Sequence, residues 1–262
     1  MIKLSVIIPV YNEKTRFQNG FDHYFSYLKK QKYPWELILV NDGSTDNTLK
    51  LISDVKKGKP NINVVTYSIN RGKGYAIAQG VKSASGEYIL FADLDHSVPI
   101  DTIESFFKFF EKNYQVVIGS RRVKGSQILV HQKPLREFLG KGFTAIVNFL
   151  IYPQIADATC GFKAFKKNVA QNIFNKITVY DWAFDAEILY ICKKSKIKIA
   201  QAPVTWTDVR GSKVSLVKDV ANSLKGIFQI RFNDLMGKYS WTCVQFFLHF
   251  GSFAYFLYIC FF

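Results

Sequence analysis

Residues Leu90–Val98 read LFADLDHSV, and Asp93 and Asp95 stand one residue apart directly after an apolar run. Carboxylates at the end of a buried strand are costly unless something answers their charge. In an extended segment residues i and i+2 point the same way, so both carboxylates can face one ion. Hard oxygen ligands suit Mg²⁺ or Mn²⁺, which keep positions open for substrate phosphate oxygens. Taken alone, the segment also reads as an Asp-capped turn before a helix at Ile100, with Pro99 near its start. The neighbouring strands decide between the two.

Upstream, LSVIIPV (4–10), ELILV (36–40), INVVT (62–66) and EYILFA (87–92) are short strand-like runs, and QVVI (115–118) is a fifth. Helical stretches are expected near 16–31, 45–57, 73–84 and 100–112. Strands alternating with helices predict parallel βαβ units in a sheet covered on both faces. Ligands of such sheets bind at the carboxyl ends of the strands. Those ends read PVYNE, NDGSTDNT and ADLDHS, so polar residues gather on the edge that holds Asp93 and Asp95. Asp42 is placed there to accept a hydrogen bond from a base N–H, and Glu13 to meet a ribose. NDGSTDNT by itself is also an ordinary capped βα loop. NRGKGYAIAQG (70–80) lacks the spacing of a dinucleotide-binding fingerprint, but its glycines permit close backbone approach, with Arg71 or Lys73 facing phosphate.

The 262 residues carry 35 basic against 20 acidic side chains, a formal charge of +15, which favours a polyanionic partner. Cys160, Cys192, Cys243 and Cys260 stand far apart, which argues against a zinc site or a disulfide framework and fits a reducing compartment. The N-terminus reads as the first strand rather than a secretory signal. Trp241–Phe262 holds no Asp, Glu, Lys or Arg. As a helix it would reach about 33 Å, enough to cross a bilayer, although a buried hydrophobic helix has the same composition. Lys225, Arg231 and Lys238 precede it, which places residues 1–240 on the cytosolic side.

The ordered set SVIIPVYNE, VNDGSTDNT, ASGEYILFADLD and GSRR resembles the family 2 glycosyltransferases of the GT-A fold over roughly the first 120 residues. Beyond it, LREFL, DATCGFKAF, WAFDAEILYIC, PVTW and GSKV resemble the dolichyl-phosphate β-glucosyltransferase branch, close to the dolichyl-phosphate mannose synthases. One departure is Asn41, where many relatives carry an Asp. The resemblance implies an α/β GT-A fold with a mostly parallel central sheet, amphipathic interface helices and a C-terminal transmembrane helix. It divides the chain into a catalytic domain (1–212, with a nucleotide-sugar half 1–120 and an acceptor half 121–212), a basic amphipathic helix (213–238) and a membrane segment (239–262).

By the same resemblance, Pro9, Tyr11, Glu13, Asp42, Lys73 and Asp93 line the nucleotide sugar, and Arg210 and Lys213 close over its diphosphate. Asp93 and Asp95 hold the metal, Arg121 and Arg136 bind an acceptor phosphate, and Asp185, with Glu187 nearby, contacts sugar hydroxyls or orients the acceptor. The reaction implied is attack of a polyprenyl or dolichyl phosphate on the anomeric carbon of UDP-glucose, with inversion. GDP-mannose is the nearest alternative donor, and a glycan or protein hydroxyl a further acceptor. A phosphate acceptor is already anionic, so no general base is obligatory. Residues 119–141 carry six basic side chains against Glu137, a local balance of 6 − 1 = +5, with Arg122, Lys124 and Lys133 read as solvated. FLGKGFTAIVNFLIY and the basic helix after Val214 are expected at the membrane interface. A nucleic-acid-binding role is disfavoured, because Asp93 and Asp95 would repel a phosphate backbone. A homo-oligomer through the membrane segment is compatible with the sequence, as are the plasma membrane of a prokaryote and the endoplasmic reticulum of a eukaryote.

Overall fold

The structure, a computed structural model, describes residues 1–209 and 216–239. Strands β1 (Leu4–Val10), β2 (Trp35–Asp42), β3 (Ile62–Tyr67) and β4 (Tyr88–Phe91) alternate with helices α1 (Phe17–Leu28), α2 (Thr48–Lys56) and α3 (Lys73–Ser83). After a short turn of 3₁₀ helix come α4 (Ile103–Glu111), β5 (Val116–Ser120), β6 (Gln127–Val130) and α5 (Pro134–Leu150). The chain continues through β7 (Lys163–Lys166), α6 (Lys167–Phe174), α7 (Phe184–Lys194), β8 (Ile199–Pro203), β9 (Thr205–Thr207) and α8 (Leu216–Leu235).

Seven strands form one sheet in the order β3-β2-β1-β4-β7-β5-β8, and β6 pairs with β9 in a separate ribbon. Every neighbour in the large sheet is parallel except β7, which runs antiparallel to both β4 and β5. Both faces are covered, which is why the strands are apolar almost throughout. On one face Leu4, Val6 and Ile8 pack with Phe17, Phe21 and Phe106. On the other, Ile7, Ile38 and Val40 pack with Ala76, Ile77 and Phe184.

The sequence predicts the first five strands and four helices within a few residues of where they lie. It does not predict β7, whose four residues KAFK carry no period long enough to read. The two expected amphipathic stretches are helices. Helix α5 buries Thr144 and Val147 while exposing Leu135, Phe138 and Phe149, and α8 buries Ile227 and Ile230 while exposing Phe228, Phe232 and Leu235. Among the described residues no helix is long and apolar enough to cross a membrane. The expected spanning segment, Trp241–Phe262, lies outside the described residues, as do Arg210 and Lys213.

Helix α3 sits against the sheet through Gly80. A Cβ there would fall 2.4 Å from Ile7 Cγ2 and 3.2 Å from Val40 Cγ2. Gly80→Ala gains about 1 kcal/mol in helix propensity, but overpacking a close-packed interface costs about 1–3 kcal/mol. Chemical denaturation of Gly80→Ala is therefore expected to show a net loss of stability.

Candidate active site

The carboxyl ends of β1, β2 and β4 meet at one edge. After β1 the chain turns through Asn12, whose φ of 52° is left-handed. Its side-chain oxygen accepts from the Thr45 amide at 2.8 Å, and Glu13 N donates to Thr48 Oγ1 at 2.8 Å, so the YNE and STDNT loops are tied together. Pro9 lies in β1 opposite Val40 of β2, and Tyr11 is exposed. Glu13 is engaged by Arg16 through two hydrogen bonds of 2.8 and 2.6 Å.

Asp42 is buried at the end of β2. Its carboxylate accepts from Arg71 N (2.9 Å), Gly72 N (3.0 Å) and Asn70 Nδ2 (2.9 Å), which folds the NRGKG turn over the strand end. The Tyr67 hydroxyl also stands against this carboxylate and is held protonated by burial and then by Asp42. Gly72 has φ +94° and a Cβ there would strike Tyr180 O at 2.6 Å, so the turn requires glycine. Asn41 donates to Thr66 Oγ1 across to β3.

Asp93 and Asp95 follow β4. Tyr24, buried on α1, donates its hydroxyl to Asp93 O at 2.6 Å and so fixes the backbone between them. Asp95 Oδ1 accepts from the amide and hydroxyl of Ser97. Burial, and then the charge of Asp93, push the Asp95 carboxyl above its ordinary range. Asp93 Oδ1 pairs with Lys73 Nζ at 2.5 Å. Beneath it runs the backbone at Gly161, where a Cβ would lie 2.1 Å from Asp93 Oδ2. Two hard-oxygen donors repelling each other at a partly open strand end fit Mg²⁺ or Mn²⁺, which bind through one or two carboxylates and complete their shells with water and phosphate. Among the described residues no group of three or more His, Cys, Asp or Glu gathers to hold an ion.

Asp185, at the first turn of α7, is buried beside the same edge. Its Oδ1 accepts from Lys163 Nζ at 2.5 Å. Burial pushes its carboxyl up, and the charges of Lys163 and then Lys73 oppose that without cancelling it. Glu187 faces elsewhere, as a helical residue two positions on must. It accepts from Thr178 N, Val179 N, Thr178 Oγ1 and Tyr239 Oη, and thereby fastens the end of α8 to the loop before α7. That loop in turn receives Gly74 N on Tyr180 O at 3.0 Å.

Just after β5, Arg121 is clamped by buried Asp157 through Nε–Oδ2 (2.6 Å) and Nη2–Oδ1 (2.8 Å), and its guanidinium lies 5.3 Å from the centre of the Trp206 ring. A recess beside it is lined by Arg121, Arg122, Ile128, His131, Gln132, Glu137 and Trp206. Arg122, expected to be solvated, is instead half-buried and donates to Thr144 Oγ1 and Ala156 O. Arg136 stands half-buried on the first turn of α5, outside that lining. Strand β9, which carries Trp206, is tied to the loop after Asp95, because Thr207 N donates to Ser97 O at 3.0 Å.

A family model, glycosyl transferase family 2, matches residues 5–174. The chain belongs to that family. It is a glycosyltransferase. It is 36% identical over 248 residues to the dolichyl-phosphate beta-glucosyltransferase of Dictyostelium discoideum, covering 90% of this chain and 76% of that one. The enzymes of that name from Homo sapiens (36%, 81% and 69% covered) and Saccharomyces cerevisiae (34%, 91% and 77% covered) are also similar. Glucosyl-3-phosphoglycerate synthase from Mycobacterium tuberculosis, solved with Mn²⁺, uridine diphosphate and glucosyl-3-phosphoglycerate, superposes with a TM-score of 0.63 at 16% identity, covering 87% of this chain and 80% of that one. The α/β GT-A-like fold with its mostly parallel sheet is thus the one expected of this family 2 member.

Asp157, Lys163 and Trp206 escape the sequence reading. Asp157 opens the DATCGFKAF motif and Lys163 lies within it, and the signal available was a charged residue in an otherwise small and apolar stretch. Burial pushes the Asp157 carboxyl up, but hydrogen bonds and charge from Arg121 outweigh it and bring it down to about 2. A carboxyl depressed on folding stabilises above its unfolded pKa near 4, and that contribution, about 2 kcal/mol, is lost as pH falls towards 2. Asp157→Asn is expected to be less stable at neutral pH and to lose less stability than the parent between about pH 4 and 2, as measured by urea denaturation across that range.

Proposed function

We propose that this family 2 glycosyltransferase transfers glucose from UDP-glucose, with inversion, to a polyprenyl or dolichyl phosphate. The observation that carries the reading is the Asp93–Asp95 strand end together with the arginines of the neighbouring recess, Arg121 and Arg122, the loop after Asp95 being tied to the strand that carries Trp206 by Thr207 N on Ser97 O. A donor diphosphate and an anionic acceptor both need this pairing. The dolichyl-phosphate beta-glucosyltransferases to which the chain is similar support glucose as the sugar and dolichyl phosphate as the acceptor.

In this reading Asp93 and Asp95 hold Mg²⁺ or Mn²⁺, which when bound supplies charge neutralisation for the departing diphosphate. Asp42 takes a base N–H, and Pro9, Tyr11 and Glu13 border the nucleoside. Lys73 supports the diphosphate from α3, and Arg210 and Lys213 are assigned to the same group. Arg121, held rigid by Asp157, and Arg136 orient the acceptor phosphate, whose oxygen is already anionic and attacks without a base. Asp185 accepts hydrogen bonds from hexose hydroxyls and sets the sugar against that oxygen.

The exposed Leu135, Phe138 and Phe149 of α5 and Phe228, Phe232, Leu235 and Met236 at the end of α8 lie among basic residues, including Lys141, Lys225 and Arg231. We assign these surfaces to the cytosolic face of a membrane, reached also by Trp241–Phe262 as a spanning segment. Apolar insertion and attraction to anionic headgroups act together in such helices.

Purified protein in detergent is expected to form lipid-linked glucose from UDP-glucose and polyprenyl phosphate only with Mn²⁺ or Mg²⁺, and Asp95→Ala to lower the rate at least about a hundredfold. Transfer from GDP-mannose in place of UDP-glucose would assign the mannose alternative, and transfer from neither donor would remove the reading. In a liposome flotation assay Phe138→Glu with Phe232→Glu is expected to lower the bound fraction several-fold; unchanged binding would relieve α5 and α8 of the membrane role.

A further inference from the structure

Lys163 is a fully buried ammonium that none of the assigned roles uses. It lies on β7 opposite Phe91 of β4 and Ile118 of β5, at the end of the strand nearest the site. An ammonium has three donors, and all three are taken. Nζ reaches Cys160 O at 2.6 Å, Ala158 O at 3.4 Å and Asp185 Oδ1 at 2.5 Å. The tripod leaves the lysine head no alternative direction. Asp185 Oδ1 is held with it, and among the described residues no donor reaches Asp185 Oδ2.

Gly161 lies in the bend two residues before Lys163, which opens β7. Gly161 leaves room for Asp93 Oδ2, and Lys163 carries Asp185. The segment CGFK is therefore a two-point seat, one point under each site carboxylate. A buried ion pair is weak as a stabilising device, since an apolar pair of similar volume often does as well or better. Its presence here is better explained by what it holds.

We propose that Lys163 is a positioning residue for sugar transfer, fixing Asp185 so that its unengaged oxygen meets the hexose beside Lys73 and Asp93. The inference rests on the role given to Asp185 above. Lys163 touches neither donor nor acceptor, and acts only through the carboxylate it grips.

The test uses the full chain in detergent, with Lys163→Met, Asp185→Asn and the double variant, each assayed for kcat, for KM towards UDP-glucose and polyprenyl phosphate, and for Tm. Lys163→Met and Asp185→Asn are each expected to lower kcat by roughly tenfold to a hundredfold with KM changed less than about threefold. The double variant should turn over as slowly as Asp185→Asn and no slower, because residues acting as a unit are non-additive. It should also melt higher than Lys163→Met, since no uncompensated buried carboxylate remains. A merely structural lysine would lower Tm without this kinetic coincidence. Wild-type kcat in folded Lys163→Met, with Asp185→Asn impaired, would overturn the proposal alone. Wild-type kcat in Asp185→Asn would remove the Asp185 role and the proposal with it. If Lys163→Met does not fold, the double variant decides: turnover equal to Asp185→Asn supports the proposal, and turnover well below it overturns it.

Discussion

The carboxyl edge of the sheet collects more carboxylate than an apolar core can hold, and lysines placed among those groups make it tenable. Asp93 and Asp185 come from different halves of the chain, and Lys73 stands in the field of both. Lys163 neutralises Asp185 from below. Asp42 finds its answer in backbone amides instead, and Asp157 in a guanidinium. Each acidic side chain at this edge is thus matched to a partner of different reach and stiffness. Lys73, on a flexible stem with part of its side chain still in solvent, is the partner best able to yield to a divalent ion. Lys163 and Arg121 are locked.

The glycine turn over Asp42 is supported from elements distant in the sequence. Helix α8 is fastened by Tyr239 to Glu187 and by Asn233 to Thr178, while Asp234 binds Lys194 and Tyr190 on α7. The loop before α7 then presents Tyr180 O to Gly74 and leaves no room for a side chain at Gly72. Apolar residues exposed on α8 and the glycine turn over Asp42 are therefore ends of one continuous packed arrangement.

Residues 1–120 were legible because their signals are local. Strand runs, glycine turns and the Asp-x-Asp at residues 93–95 are each decided within a few positions of the sequence. Asp93 and Asp95 are assigned to a strand end, and Asp42 to the same edge, by the sequence alone. The segment after residue 120 was less legible because its partners are distant. Arg121 meets Asp157 across 36 positions, and Lys163 meets Asp185 across 22. No local period reveals such a pair. Arg122 reads as a solvated loop residue and is instead half-buried, since the helix that covers it begins only at Pro134. Glu187 reads with Asp185 as one acidic motif, but helical geometry turns the two apart.

Strand β7 also has a consequence for how the chain reaches this state. It fills the gap between β4 and β5, and its pairing of Tyr88 with Lys166 spans 166 − 88 = 78 positions. Until the ribosome has delivered residue 166, β4 is an open edge with unpaired amides and carbonyls, of the sort that recruits other chains. Non-local pairing of this kind is slow, and transiently exposed edges are where aggregation starts. Because Lys163 opens the same strand and carries Asp185, completing the sheet and seating that carboxylate are the same event.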